Sequence, residues 1–187
     1  RDNNFIYPIL WQGGADILDV EANTNAFNNE AGLAAFQFMY DLVHTYKVVP
    51  DWGLNPIFQQ VFYEGRAAMC PVESYSIPIL RGDYPEINAG AALAPQGPGT
   101  AFYEGRGTFG NSGYWVISEA SKNKEAAFKL IQFMNQKENM DYMMGVVNLF
   151  GCRKDFKPPL EKEPLLQIFF EGIPYQVPYP LHPKLRQ

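Results

Sequence analysis

Short apolar runs alternate with stretches of helical period along the whole chain, and that alternation restricts the fold more than any other feature. AAMCPV (67–72) reads as a short buried strand, and INAGAALAP (87–95) and YWVIS (114–118) as further strands. Between them, Leu33, Phe36, Met39, Tyr40, Val43 and Tyr46 recur at helical spacing, which predicts a long amphipathic helix. Asn28 or Asn29 is its expected N-cap, with Glu30 well placed in the first turn. Asn55-Pro56 starts a second helix through IFQQVFYE, and Gly65 stops it. ESYSIPILRG (73–82) predicts a short helix. SKNKEAAFKLIQFMNQ (121–136) predicts one capped by Ser121, and KENMDYMMGVV (137–147) a further one after a break. Pro164 opens the last helix through LLQIFFEG, and the Pro-rich tail is expected to be extended. FIYPIL (5–10) carries Pro8 and suits a loop or the start of a helix. Gly13-Gly14 then forces a turn before a short ILD strand and a polar hairpin or loop at 21–30. Helices alternating with short strands predict an α/β fold.

Charge narrows the partners. Fifteen basic against twenty acidic residues leave a net charge of −5 with no long run of either sign, so a nucleic-acid footprint is not expected. No apolar run approaches the ~20 residues of a membrane span. The chain starts at Arg1 rather than Met and shows no signal peptide, which reads as a cut or processed chain. Cys70 and Cys152 lack metal-ligand spacing, and neither His44 nor His182 lies near a cysteine in sequence, so no metal or cofactor is expected. Two buried free thiols are the simple reading; a single disulfide is the alternative.

Catalytic machinery is not evident. There is no GxSxG elbow and no HExxH, and the glycines of QGPGTAFYEGRGTFGNSG lack the strand-before, helix-after context of a phosphate cradle. Asp16 and Asp19 read as turn carboxylates. The apolar run 67–72 ends by presenting Glu73, Ser74 and Tyr75 together, as a pocket wall does, and Glu73 there is a ligand acceptor or a helix cap. The aromatic content, 15%, supplies rings beside Asn, Gln and Ser, a combination suited to the apolar faces and hydroxyl rim of a sugar.

Seven segments, taken in order, resemble the extracellular solute-binding proteins of bacterial ABC importers, the group that includes maltose-binding protein. They are WQGGADILD, FNNEAGLAAFQFMYDLV, FYEGRAAM with ESYSIPIL, AALAPQGPG, FGNSGYWVIS, SKNKEAAFKLIQFM and GCRKD. The resemblance implies a two-lobed periplasmic-binding-protein-like fold of class II, of which this chain is a fragment. Residues 1–108 would be the C-terminal-lobe portion, 109–150 the inter-lobe crossing with a returning piece of the N-terminal lobe, and 151–187 the return to the C-terminal lobe. It implies capture of a solute, a carbohydrate first, for delivery to a membrane permease, without catalysis or cofactor, in an extracellular or periplasmic setting and with a lipid anchor on the parent as one option. Tyr75 stands where the family often places an aromatic that stacks on ligand, with Glu73 and Ser74 on the same wall. Trp11, Gln12, Asn55, Asn111, Ser112 and Arg153 fall at positions that line or flank the cleft; where the family pattern has Trp, this chain has Ser112. Arg153 also reads as a hinge ion pair. The alternatives are a polyol phosphate, which calls for more Arg or Lys, a polyamine, which calls for more carboxylates than Glu73, a glycan-active enzyme, and a structural surface module. A piece with an incomplete first lobe is expected to expose apolar surface and to pair with another copy or a missing chain.

Overall fold

A computed structural model describes residues 5–49, 58–110 and 113–178. The chain divides into two compact units, one of Arg1–Pro71, Leu93–Asn111 and Gly172–Gln187, the other of Val72–Ala92 and Ser112–Glu171.

The first unit is built on α1 (Ile6–Gly13), which begins despite Pro8 because a first-turn residue has no intrahelical partner for its N–H. Gly14 adopts φ 92° and ends the helix. Its N–H donates to the Trp11 carbonyl (3.0 Å) while the Ala15 N–H reaches Leu10 O (2.9 Å), the paired bonds that satisfy a helix C-terminus. β1 (Leu18–Asp19) and β2 (Thr24–Asn25) pair as an antiparallel hairpin, where the sequence left a hairpin or a loop open. α2 (Glu30–His44) starts where the sequence places it, with Asn29 Oδ1 accepting from the Gly32 N–H at 2.9 Å. Its packed face differs from the expected stripe. Gly32 and Ala35 are buried, whereas Leu33, Phe36, Tyr40 and Tyr46 are exposed. The reason is close approach: a Cβ on Gly32 would overlap the Phe27 backbone just ahead of α2, and one on Gly13 of α1 would touch Ala35 of α2 at 3.3 Å, so small residues are needed at both contacts. α3 (Phe58–Tyr63) runs into a turn at Gly65, φ 68°. β3 (Thr108–Gly110) and β4 (Gln176–Pro178) pair in parallel, with Phe109 opposite Val177. Tyr7, Leu10, Trp11, Ala15, Ile17, Ala35 and Val177 form the core.

The second unit is helical: α4 (Ser76–Asp83), α5 (Lys124–Met134), α6 (Lys137–Val147) and α7 (Leu165–Gly172, whose last residue belongs to the first unit). Ile77, Leu80, Met140 and Leu166 are its buried apolar residues. Ser121 Oγ accepts from the Asn123 N–H just ahead of α5. Phe150 packs on Phe170, ring centroids 6.0 Å apart.

The three expected strands are corrected here. Among the described residues, 67–72, 87–95 and 114–118 enter no ladder, and they are not buried: Met69 is 87% exposed and Val116 84%. Extended backbone becomes a strand only where a partner supplies hydrogen bonds, and none does so here. α5 likewise buries no residue.

Arg81 and Glu163 join α4 to the start of α7 through two parallel bonds of 3.0 Å. The Arg81 guanidinium holds the Glu163 carboxyl below its ordinary pKa. A carboxylate whose folded pKa is depressed stabilises fully above its unfolded pKa and loses that contribution as pH falls through the folded value. With Arg81 half exposed, the pair is worth roughly 0.2–1 kcal/mol. Glu163→Gln is expected to lower stability by that amount in urea unfolding at pH 7, with the gap to the parent narrowing as pH falls below the ordinary carboxylate range; a gap that does not narrow with acid would assign the loss to packing.

Candidate functional site

The sequence-derived site residues fall in both units. In the first, Trp11 lies wholly within the core, with no exposed surface. It packs on Tyr7 (5.8 Å) and Phe102 (6.2 Å), and its indole N–H donates to Asp16 Oδ1 at 3.2 Å. Gln12 is half-buried: its Nε2 donates to Gly107 O at 3.3 Å, and its carbonyl accepts from the Gly99 N–H at 2.8 Å. Asn55, Asn111 and Ser112 lie outside the described residues.

These bonds explain the glycines between 96 and 107, which sequence reasoning treated only as a connection. A Cβ on Gly97 would strike the Gln12 carbonyl, one on Gly99 the Gly14 backbone, one on Gly105 the Gly97 carbonyl, and one on Gly107 would crowd Trp11 and Phe102. The connection lies directly on the C-terminal end of α1, and Gly105, φ 80°, also needs the left-handed region. Two glycine pairs, each spaced by two, were the available signal.

Beside this node, Tyr103 (φ 49°) and Glu104 (φ 53°) are consecutive non-glycine residues in the left-handed region. Each costs of order 1 kcal/mol and persists only where its surroundings fix it. The Tyr103 hydroxyl donates to Gln176 O (3.3 Å), and its ring meets Tyr175 edge-on at 6.3 Å. Gln96 Nε2 donates to Glu104 O at 2.7 Å, and the Arg106 guanidinium lies 5.7 Å above the Tyr175 ring.

In the second unit, Glu73 to Tyr75 form the turn that starts α4. Exposure alternates along it. Ser74 and Ser76 are buried at 5% and 1%, Glu73 is half-buried and Tyr75 is 36% exposed. Glu73 and Tyr75 are therefore the pair this turn offers to solvent, and the hydroxyls turn inward. The first-turn donors are spent: the Ser76 N–H bonds Glu73 O, the Ile77 N–H bonds Ser74 O, and residue 78 is Pro. Arg153 is committed elsewhere. Its guanidinium grips both Asp155 oxygens at 2.8 Å and donates to Asn135 O at 3.2 Å, at the C-terminal end of α5. That hydrogen-bonded pairing holds the Asp155 carboxyl below its usual pKa. The ion pair that Arg153 makes is with a residue two positions away in the second unit, not the hinge pair expected from the sequence.

Both cysteines are free thiols; burial pushes Cys70 up to about 11, while Cys152 is exposed. Among the described residues no group of three His, Cys, Asp or Glu could hold a metal, and no helix is long and apolar enough to cross a membrane.

Comparison with known proteins matches this arrangement to one family. Residues 1–167 match the family described as bacterial extracellular solute-binding protein. Maltose-bound MalE3 of T. maritima superposes with a TM-score of 0.74 at 25% identity, covering 95% of this chain and 46% of that one. The maltose/maltodextrin-binding domain of Bdellovibrio bacteriovorus, bound to maltotriose, superposes at 0.79 and 21% identity, covering 98% and 48%. A Brucella abortus protein provisionally named a binding protein is 27% identical over 137 residues, 72% of this chain and 32% of its own length. The chain thus spans under half the length of these solved relatives and about a third of the curated one. The shared fold is the α/β architecture of periplasmic binding proteins, with small sheets and many helices. The matched family is named for binding, not for catalysis. The chain belongs to the bacterial extracellular solute-binding protein family.

Proposed function

We propose that this chain is part of the substrate-binding component of an ABC importer, which captures an uncharged carbohydrate outside the cytoplasm and hands it to a membrane permease. On this reading, residues 1–108 belong to a C-terminal lobe, 109–150 cross to and include part of the other lobe, and 151–187 return. Ligand would be held between the lobes, and closure would follow from tighter binding to the closed state. The apolar side chains left exposed at 114–116 and on α5 would be an association surface, covered by further polypeptide or by a second copy.

The turn before α4 carries the proposal. It offers an accessible ring, Tyr75, two residues from a carboxylate, Glu73. A ring accepts the apolar face of a sugar, and a carboxylate accepts its hydroxyls in charge-assisted bonds. Solved relatives whose names include maltose and maltotriose support the same ligand class. A phosphorylated solute is disfavoured: Arg153 is occupied by Asp155, and the first turn of α4 has no unspent N–H at residues 76–78. A polyamine would want more carboxylates than Glu73 at this turn.

Calorimetric titration of the protein with maltose, maltotriose and D-tagatose tests the reading. Saturable one-to-one binding of at least one of them is expected. Silence across these sugars, with saturable binding of spermidine or of a sugar phosphate, would overturn it.

A further inference from the structure

Among the described residues, Arg106 is an arginine that no carboxylate neutralises. Arg66, Arg81 and Arg153 each grip one, on Glu64, Glu163 and Asp155 in turn. The Arg106 guanidinium instead lies 5.7 Å above the Tyr175 ring, and its Nη2 donates to Gln96 Oε1 at a long 3.5 Å. A ring beneath the planar group leaves its in-plane N–H edge as the donor surface, the geometry that takes a carboxylate through two parallel bonds. Arg106 is exposed, so that edge is reachable from solvent.

The groups around it all belong to the first unit and are held in place. Tyr103, 49% exposed, meets Tyr175 edge-on at 6.3 Å and donates to Gln176 O. Gln96 Nε2 holds the Glu104 carbonyl at 2.7 Å, and the Gly97 N–H holds that of Gly105 at 2.8 Å. These bonds keep Tyr103 and Glu104 in the left-handed region, at φ 49° and 53°, a costly state that persists only where its surroundings over-determine it. Core filling does not account for the strain, because both residues are exposed. What it secures is a half-exposed ring, a carboxylate and an unneutralised guanidinium on one turn, arranged before any ligand arrives.

We propose that this turn is a second binding site, for a sugar that carries a carboxylate, a uronate. The ligand carboxylate sits on the Arg106 fork, the apolar face of the pyranose on the Tyr103 ring, and a hydroxyl against Glu104. A neutral sugar would leave the guanidinium without a counter-charge. An acidic peptide suits the turn less well, because Glu104 repels further negative charge and accepts hydroxyls instead. The site does not depend on what Glu73 and Tyr75 hold.

Calorimetric titration of the protein with digalacturonate at low salt tests it. Saturable binding is expected, undiminished by an excess of maltotriose and weakened by added salt. Arg106→Gln should lower the affinity about tenfold or more, the usual weight of a hydrogen bond to a charged group, while maltotriose binding stays as in the parent. Arg106→Lys keeps the charge without the fork and should fall between. Tyr103→Ala should lose about tenfold as well; should it unfold, the two variants of exposed Arg106 decide. No saturable binding of digalacturonate, or an affinity unchanged by Arg106→Gln, would overturn the proposal. So would displacement of digalacturonate by maltotriose, which means one shared site, or triglutamate binding equally tightly, which assigns the turn to an acidic protein segment. A parent silent to maltotriose counts against the function proposed above and leaves the digalacturonate readings to decide this one.

Discussion

Gly99→Ala is expected to destabilise the first unit by about 3 kcal/mol or more, or to prevent its folding. The added methyl would sit against the nitrogen and Cα of Gly14 and the carbonyl carbon of Gly13. All three are backbone atoms at the hydrogen-bonded end of α1, where Gly99 itself donates to Gln12 O at 2.8 Å. A flexible side chain could swing away, but these atoms cannot move without breaking the bonds of Gly14 and Ala15 that close the helix. Overpacking typically costs 1–3 kcal/mol, and rigid backbone puts this site at or above the top of that range. Domain stability is only about 5–15 kcal/mol, so the change should be visible as a Tm drop of roughly 6–12 °C. Gly82→Ala is the contrasting control. Gly82 lies inside α4 with nothing within 4 Å of its added Cβ, and alanine there should raise stability by up to ~1 kcal/mol through helix propensity. Equal effects at the two positions, measured by thermal unfolding, would show that the close approach at Gly99 does not exist in solution.

The same contrast shows what the sequence could convey. α2 was legible because its start, period and length are local: Asn29 caps it and Glu30 follows in the first turn. α6 and α7 were legible for the same reason. Burial is not local. The family resemblance implies that Trp11 lines or flanks a cleft, yet the ring is wholly buried, packed on nearby Tyr7 and on Phe102 far along the chain. On α2 the large apolar residues spelled out a face, but Gly32 and Ala35 made the contact because helix and neighbouring backbone approach too closely for anything larger. Apolar character at 67–72, 87–95 and 114–118 suggested strands that the structure does not form, because an apolar run becomes a ladder only with a partner. At the candidate site, the Glu73–Tyr75 turn was legible as a place; the alternation that exposes Glu73 and Tyr75 while burying Ser74 and Ser76 depends on how α4 packs.

That alternation gives the sharpest functional expectation. Tyr75→Ala is expected to weaken maltotriose binding by about 30-fold or more. A ring that carries a ligand contact in a binding interface is typically worth ~2 kcal/mol or more on truncation, which is about 30-fold in Kd. Thermal unfolding of the same variant separates a lost ligand contact from a lost fold, since the ring is 36% exposed and the rest of it is covered. Tyr75→Phe separates the two ways a tyrosine binds sugar. Retention of most of the affinity assigns the contact to stacking of the ring face, whereas a loss close to that of alanine assigns it to the hydroxyl. The neighbouring Ser74→Ala reports on the geometry itself. At 5% exposure its side chain faces the interior, so its truncation should leave Kd within about twofold of the parent. Calorimetric titration with maltotriose reads all three variants. A Tyr75→Ala protein that binds as tightly as the parent, while Ser74→Ala loses affinity, would mean that the wall faces ligand with its hydroxyls and that Tyr75 is merely a surface ring.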